Sequence, residues 1–367
     1  MNRREFSRIT ALGALALHTY PATSSAGIFR HHPEPSFNIP LGVANHSLRG
    51  KRPSARELIE FAIEHQLDSV QFNTLKPFES LEIQHLESLK SLANTNDISI
   101  YVGIGSISEQ SASFSNGFGD ARALLNTGIR VARILESPIV GVRIGNLEDR
   151  YTQGGIESKM EEVMKLMRSF RGPVSDAGLK FAFENHAGDM RSEELLDLIG
   201  QTGSDICGAF YDPGNAIYAM EDPGIALEAL SSHILCCQAR DVHIWPSEDG
   251  AKFQWTAVGE GMMDFKHFTR VIGENCPGVP IHIETISNSL RSIPYLKDEY
   301  WEGFPDLKAQ GMIDFLKLVR MGHPIELARA PDGMDKKAFD REHQKNELLK
   351  SISYLRKECG AGIKQSN

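Results

Sequence analysis

Three carboxylates and one amide stand at the ends of short apolar runs. Glu184 closes the run Leu179–Glu184, and Asp212 follows Ile206–Tyr211. Gln238 closes Ile234–Gln238, and Glu284 lies within Pro280–Thr285. A polar group that ends an apolar strand is costly unless it reaches a rim or finds a partner. Successive runs ending this way therefore converge on one site. Carboxylates crowded together resist ionising, and a divalent cation removes the conflict. An oxygen-rich donor set suits Mg²⁺ or Mn²⁺ better than zinc. Glu184, Asp212, Gln238 and Glu284 form the expected ligand set for one such ion. A cation there polarises a sugar carbonyl and acidifies the neighbouring C–H. One glutamate then removes a proton, a metal-held enediolate forms, and a second glutamate returns a proton. Glu184 and Glu284 are the expected acid/base pair. A blander reading pairs the carboxylates with Arg143, Lys180, Arg240 and Arg291 as structural ion pairs. It accounts for any one carboxylate more readily than for the set.

Eight β-branched or apolar runs recur along the chain: Leu41–Asn45, Ser69–Asn73, Ile98–Ile104, Pro138–Ile144, Leu179–Glu184, Ile206–Tyr211, Ile234–Gln238 and Pro280–Thr285. Helical periodicity fills the gaps. Leu58, Ile59 and Ala62 share a face in Ala55–Glu64, as do Leu81, His85, Leu89 and Leu92. Ile156, Met160, Val163, Met164 and Met167 share another within Ile156–Phe170, a core stripe. Strand and helix alternating eight times make an α/β chain, a (β/α)8 TIM barrel with an extra C-terminal helix. A doubly wound sheet is disfavoured because the first strand leads into Asn45-His46-Ser47-Leu48-Arg49, with no glycine-rich phosphate turn. In a barrel the groups that do chemistry stand at C-terminal strand ends, where these residues fall.

Phe183-Glu184-Asn185-His186, Asp212-Pro213-Gly214-Asn215, Arg240-Asp241, Gly259-Glu260-Gly261 with Asp264, and His282-Ile283-Glu284-Thr285 together resemble the xylose isomerase-like TIM-barrel superfamily. This group includes sugar phosphate isomerases/epimerases, ketose 3-epimerases, inosose dehydratases and related lyases. The resemblance spans about residues 38 to 325. It implies a divalent metal held by Glu184, Asp212 and Glu284, with Glu184 and Glu284 as acid and base. Two departures stand out. The epimerase pattern places His-x-Lys-Asp on strand seven, where this chain has Gln238-Ala239-Arg240-Asp241. The dehydroshikimate-dehydratase branch carries Gln at that ligand position. Asn215 stands where the epimerases often carry His. With Gln238 it also removes ligands that the DNA-repair endonuclease branch requires for three metals.

Substrate contacts are expected from His186, Arg143, Arg240, Asn215 and Arg291. A planar guanidinium at Arg240 suits a carboxylate or a ring of hydroxyls. His46 and Arg49, just past strand one, face the same mouth. Val242–Gly261 reads as a long loop, with Trp245 or Trp255 placed to stack on a sugar ring or to anchor a plain surface loop.

The remainder sets limits. The chain has 367 residues, 41% apolar and 24% charged, with 39 Lys and Arg against 48 Asp and Glu and a net charge of −9. Such acidity gives no general attraction for nucleic acid. No apolar run approaches the ~20 residues of a membrane span. Residues 1–26, with Arg3-Arg4-Glu5-Phe6 before a short apolar stretch and Ser24-Ser25-Ala26, resemble a twin-arginine export signal. The expectation is an exported, periplasmic protein, with residues 27–37 as linker. Its five cysteines show no CxxC pair and read as reduced thiols. Asp335–Cys359 reads as a charged helix with Leu348, Ile352, Leu355 and Cys359 on one face, within an extension over 326–367. That stripe needs covering by the barrel or by a second subunit in a homo-oligomer.

The expected function is a divalent-metal-dependent isomerase or epimerase of a small carbohydrate, with an unphosphorylated sugar favoured. A lyase acting on a keto-sugar or sugar acid is the alternative, favoured by Gln238 and Arg240. A non-catalytic exported carbohydrate-binding protein is the third reading.

Overall fold

The computed structural model describes residues 37–364 apart from Ser287. The expected export signal and most of the linker lie outside the described residues.

Eight parallel strands close a barrel: β1 (Leu41–Ala44), β2 (Ser69–Phe72), β3 (Ser99–Ser106), β4 (Ile139–Arg143), β5 (Lys180–Glu184), β6 (Cys207–Tyr211), β7 (Ile234–Ala239) and β10 (Ile281–Ile283), with β1 completing the ring beside β10. Each expected run overlaps one of these strands, with β3 and β7 extending past the expected ends to Ser106 and Ala239. Every residue of β1, β2 and β6 is buried, because helices cover the outside while side chains fill the inside. The covering helices form where the apolar stripes repeat. Ala55–Glu64 starts on a capping box, in which Ser54 and Glu57 each bond the other's backbone N–H. Gly155–Ser169 turns Ile156, Met160, Val163, Met164 and Met167 inward, so the methionines are core. Leu81 lies outside its helix, which runs Ile83–Thr95, and His85 is half-buried at its boundary.

The loop expected over Val242–Gly261 is instead a β-hairpin. β8 (Asp241–Ser247) and β9 (Gly250–Thr256) pair antiparallel, and β11 (Leu290–Ile293) adds to β9 as a third strand. The signal was present as alternation: Val242, Ile244, Phe253 and Trp255 point into a second hydrophobic cluster with Ile293, Tyr300, Phe304 and Phe315. Trp245 and Trp255 are buried, so neither is an exposed lid aromatic. Asp241 fastens the hairpin base by accepting backbone N–H bonds from Val242, Gly259, Gly261 and Met263. That explains Asp241 and the two glycines as a structural clasp.

The C-terminal helix forms over Lys336–Cys359 with Asp335 as its cap. Its stripe Leu348, Ile352 and Leu355 is buried within the main barrel core, alongside β10 and the helix Phe265–Asn275. The barrel's own surface therefore covers the apolar face, and the core extends beyond residue 325. All five cysteines are free, four of them buried.

Candidate active site at the strand ends

The ends of β5, β6, β7 and β10 bring Glu184, Asp212, Arg240 and Glu284 together. Gln238 is the last but one residue of β7, and all five are buried. Local structure sets each one. Asn185 locks the ends of β5 and β6 by donating to the Asp212 carbonyl at 2.9 Å and accepting the Asp212 N–H at 2.8 Å. Asp212 caps the helix Pro213–Tyr218, and its Oδ1 accepts from Gly214 N at 2.9 Å and Asn215 N at 3.3 Å. Its other oxygen is left for the site. Asp189 pins the neighbouring loops by accepting from the backbone N–H groups of Gly145, His186 and Met190.

A guanidinium lies at the centre. Arg240 Nη2 is 2.9 Å from Asp212 Oδ2, and the same nitrogen pairs with Glu284 Oε2. Nη1 donates to Asn215 Oδ1 at 3.2 Å, and the guanidinium stacks over Trp255 at 5.1 Å. Gly214 makes this seat possible. A Cβ there would come within 2.6 Å of Arg240 Cδ and 2.9 Å of Trp255 Nε1. The structural ion-pair reading is thus met at Arg240. Lys180 instead donates to the Ser204 carbonyl.

Glu284 Oε1 accepts from Asn73 Nδ2 at 3.0 Å, and His46 Nδ1 lies 3.3 Å away. Burial, with Arg143, Arg240 and Arg49 nearby, pushes His46 down to about 4, so this contact involves a neutral imidazole. Asn73 is placed by Asn45, whose Oδ1 accepts the Asn73 N–H at 2.9 Å. Asn73 is the contributor that motif reading missed; its only sequence signal is its place at the end of the second run. Gln238 donates Nε2 to Gln71 Oε1 at 3.2 Å, while its own Oε1 is buried without a partner.

Burial pushes Glu184 up to about 7, opposed by Arg143. It also raises Asp212, against Arg240 and two backbone N–H groups. Asn215 Nδ2 bridges these two carboxylates, at 3.4 Å from Glu184 Oε1 and 3.0 Å from Asp212 Oδ2. The Asn215 amide, an expected substrate contact, thus lies inside the carboxylate cluster. His186 is half-buried, with Nδ1 against the Gly145 carbonyl at 2.6 Å. Burial and Arg143 hold its ring neutral. Arg143 ends β4, its Nε buried without a partner. Arg291 is exposed on β11 and lies over the other side of the cluster, 5.8 Å from the Trp255 ring.

Among the described residues, no three His, Cys, Asp or Glu side chains already converge as a cation cage. The donor chemistry nevertheless fits a hard divalent ion. Gln238 Oε1 is a buried oxygen lacking a hydrogen-bond donor, and Glu184 and Asp212 are carboxylates whose ionisation burial opposes.

A family model described as xylose isomerase-like TIM barrel matches residues 59–316. The chain belongs to that family. Structures sharing its fold include D-psicose 3-epimerase from Clostridium cellulolyticum H10, solved with D-tagatose (16% identity, 86% of this chain and 99% of that one, TM-score 0.53). Another is the probable 3-DHS dehydratase AsbF of Bacillus anthracis (12%, 67% and 92%, TM-score 0.50). A third is the IolI protein with a bound zinc atom (14%, 78% and 100%, TM-score 0.51). A curated relative is the uncharacterized protein YihM of Escherichia coli K12, 26% identical over 161 residues. That match takes in 41% of this chain, and the chain spans about half the length of that relative. Epimerases and a dehydratase are thus built on this xylose isomerase-like barrel.

Proposed function

We propose that this protein is a divalent-metal-dependent isomerase or epimerase of a small carbohydrate, with Glu184 and Glu284 as its acid/base pair. The carrying observation is the convergence of Glu184, Asp212 and Glu284 from three strand ends, all buried and linked through Asn215 and Arg240. Glu184, Asp212, Gln238 and Glu284 would hold the ion, Mg²⁺ or Mn²⁺ by their oxygen chemistry. When bound, the ion supplies Lewis acidity at a substrate carbonyl.

The chain's residues then divide the proton work. Glu184, whose carboxyl lies near pH 7, accepts the proton from the carbon beside the carbonyl. Glu284 returns a proton on the other side, its Oε1 steadied by Asn73 and His46. His186, its Nδ1 engaged by Gly145, and Arg143 orient substrate hydroxyls. Trp255 and the hairpin exclude water behind Arg240.

The test is deuterium uptake from D₂O into a panel of ketoses and sugar acids by Mn²⁺-loaded protein. Uptake at one carbon is expected, with loss in Glu184→Gln and Glu284→Gln. Unchanged uptake in both variants overturns the assignment. The buried cation Arg240 and the amide Gln238 favour a second reading, a lyase on a keto-sugar or sugar acid. Product mass separates them: isomerisation conserves mass, and elimination loses water or CO₂.

A further inference from the structure

A cavity of about 540 Å³ opens at the ends of β1 and β2 and is lined by Asn45, His46, Arg49, Arg52, Thr74 and Lys76, together with two prolines. Among the described residues none of its lining side chains is acidic, in a chain whose net charge is −9. It adjoins the carboxylate cluster through its own wall. His46 lies 3.3 Å from Glu284, and Asn45 positions Asn73, which donates to the same oxygen.

Two of these cations are not spent on pairing within the fold. Among the described residues, Arg52 and Lys76 make no side-chain ion pair or hydrogen bond, while the nearby Lys51 pairs with Glu57 at 3.2 Å. Arg52 also takes a left-handed backbone, φ 54°, at a position where glycine would be cheaper. Keeping a long basic side chain at a strained position is a cost that a function can explain.

We infer that this cavity is an anion subsite, and that the substrate is a sugar carrying a carboxylate or phosphate that Arg49, Arg52 and Lys76 hold while the reacting carbon lies at Glu284. The substrate class rests on the proposed function; the anion subsite does not. Side-chain cations at a confined mouth gain both from focusing of the field and from charge-assisted hydrogen bonds.

The probes are inorganic phosphate, fructose, fructose 6-phosphate and galacturonate, titrated calorimetrically into full-length protein. The comparison protein is the double variant Arg52→Ser/Lys76→Ser, whose positions are exposed and so spare the fold. Inorganic phosphate should bind the wild type and weaken about tenfold or more in the double variant, with the affinity falling as salt rises. At least one charged sugar should bind ten times tighter than fructose, and the double variant should remove that advantage. Fructose 6-phosphate responding alone assigns phosphate, and galacturonate responding alone assigns carboxylate. Glu184→Gln should leave phosphate binding intact, which separates failure of the chemistry from failure of the subsite. Equal binding of charged and neutral sugars, or an anion preference that survives in the double variant, overturns the inference.

Discussion

Glu184 at the rim and Glu347 on the C-terminal helix are both buried carboxyls, pushed by burial to about 7 and about 8. Their surroundings differ. Glu184 stands among Asp212, Asn215, Arg143 and Arg240, contributed by three other strand ends and the turns that follow them. Glu347 pairs with His343 of its own helix at 3.1 Å, with Glu260 and Lys350 nearby, and burial lowers the pKa of that imidazole. A raised carboxyl therefore marks desolvation in both places, and only convergence makes one of them a site. The barrel supplies that convergence because every parallel strand ends on the same face.

The sharpest way to break this contrast is at the acid/base pair. Glu284→Gln keeps the shape and removes the charge. Deuterium exchange should fall on the order of 10²- to 10⁴-fold, while the Mn²⁺-dependent rise in melting temperature largely persists. A comparable loss in Glu347→Gln would erase the distinction between the two regions.

Next in size is the central cation. Arg240→Met strands Asp212 and Glu284 in the interior, and breaking a buried pair costs about 3–5 kcal/mol. Urea unfolding in chelator should show that loss, and Mn²⁺ should restore most of it by compensating the same oxygens. Absence of restoration would remove these carboxylates from the metal site. Gly214→Ala tests the seat more gently. Its Cβ would strike the Arg240 stem, and overpacking of this kind costs about 1–3 kcal/mol. The Trp255 fluorescence should shift as the guanidinium leaves the ring.

The last contrast is pH dependence at Glu347. Its folded pKa lies above the ordinary 4.5. The folded state thus holds the proton more tightly than the unfolded state. Stability from this group is present below about pH 4.5 and is lost as pH rises toward about 8. Glu347→Gln should flatten the decline in melting temperature over that window, with little change at pH 4. A decline that is unchanged would assign it to other buried carboxyls, among them Asp189 at about 7.

The barrel was legible because its strands are short β-branched runs separated by periodic helices, a pattern carried by composition and spacing alone. Glu184, Asp212, Gln238 and Glu284 were legible because each breaks an apolar run at its end. The hairpin β8–β9 was not, since its alternation falls in a stretch whose turn residues and aromatics also suit a surface loop. Nor was Asn215's orientation into the cluster, which follows from its position as the third residue of a helix capped by Asp212.

Local order in the chain was enough to determine eight strands, their helices and the residues at their ends, because hydrophobic periodicity and polar interruptions are written along the sequence. Tertiary structure decided the rest. It set Arg240 between Asp212 and Glu284 over the space left by Gly214, folded the C-terminal helix onto its own barrel, and gathered Arg49, Arg52 and Lys76 around one cavity. Each of these depends on residues from separate strands or loops meeting in space, and no spacing within one segment encodes that meeting.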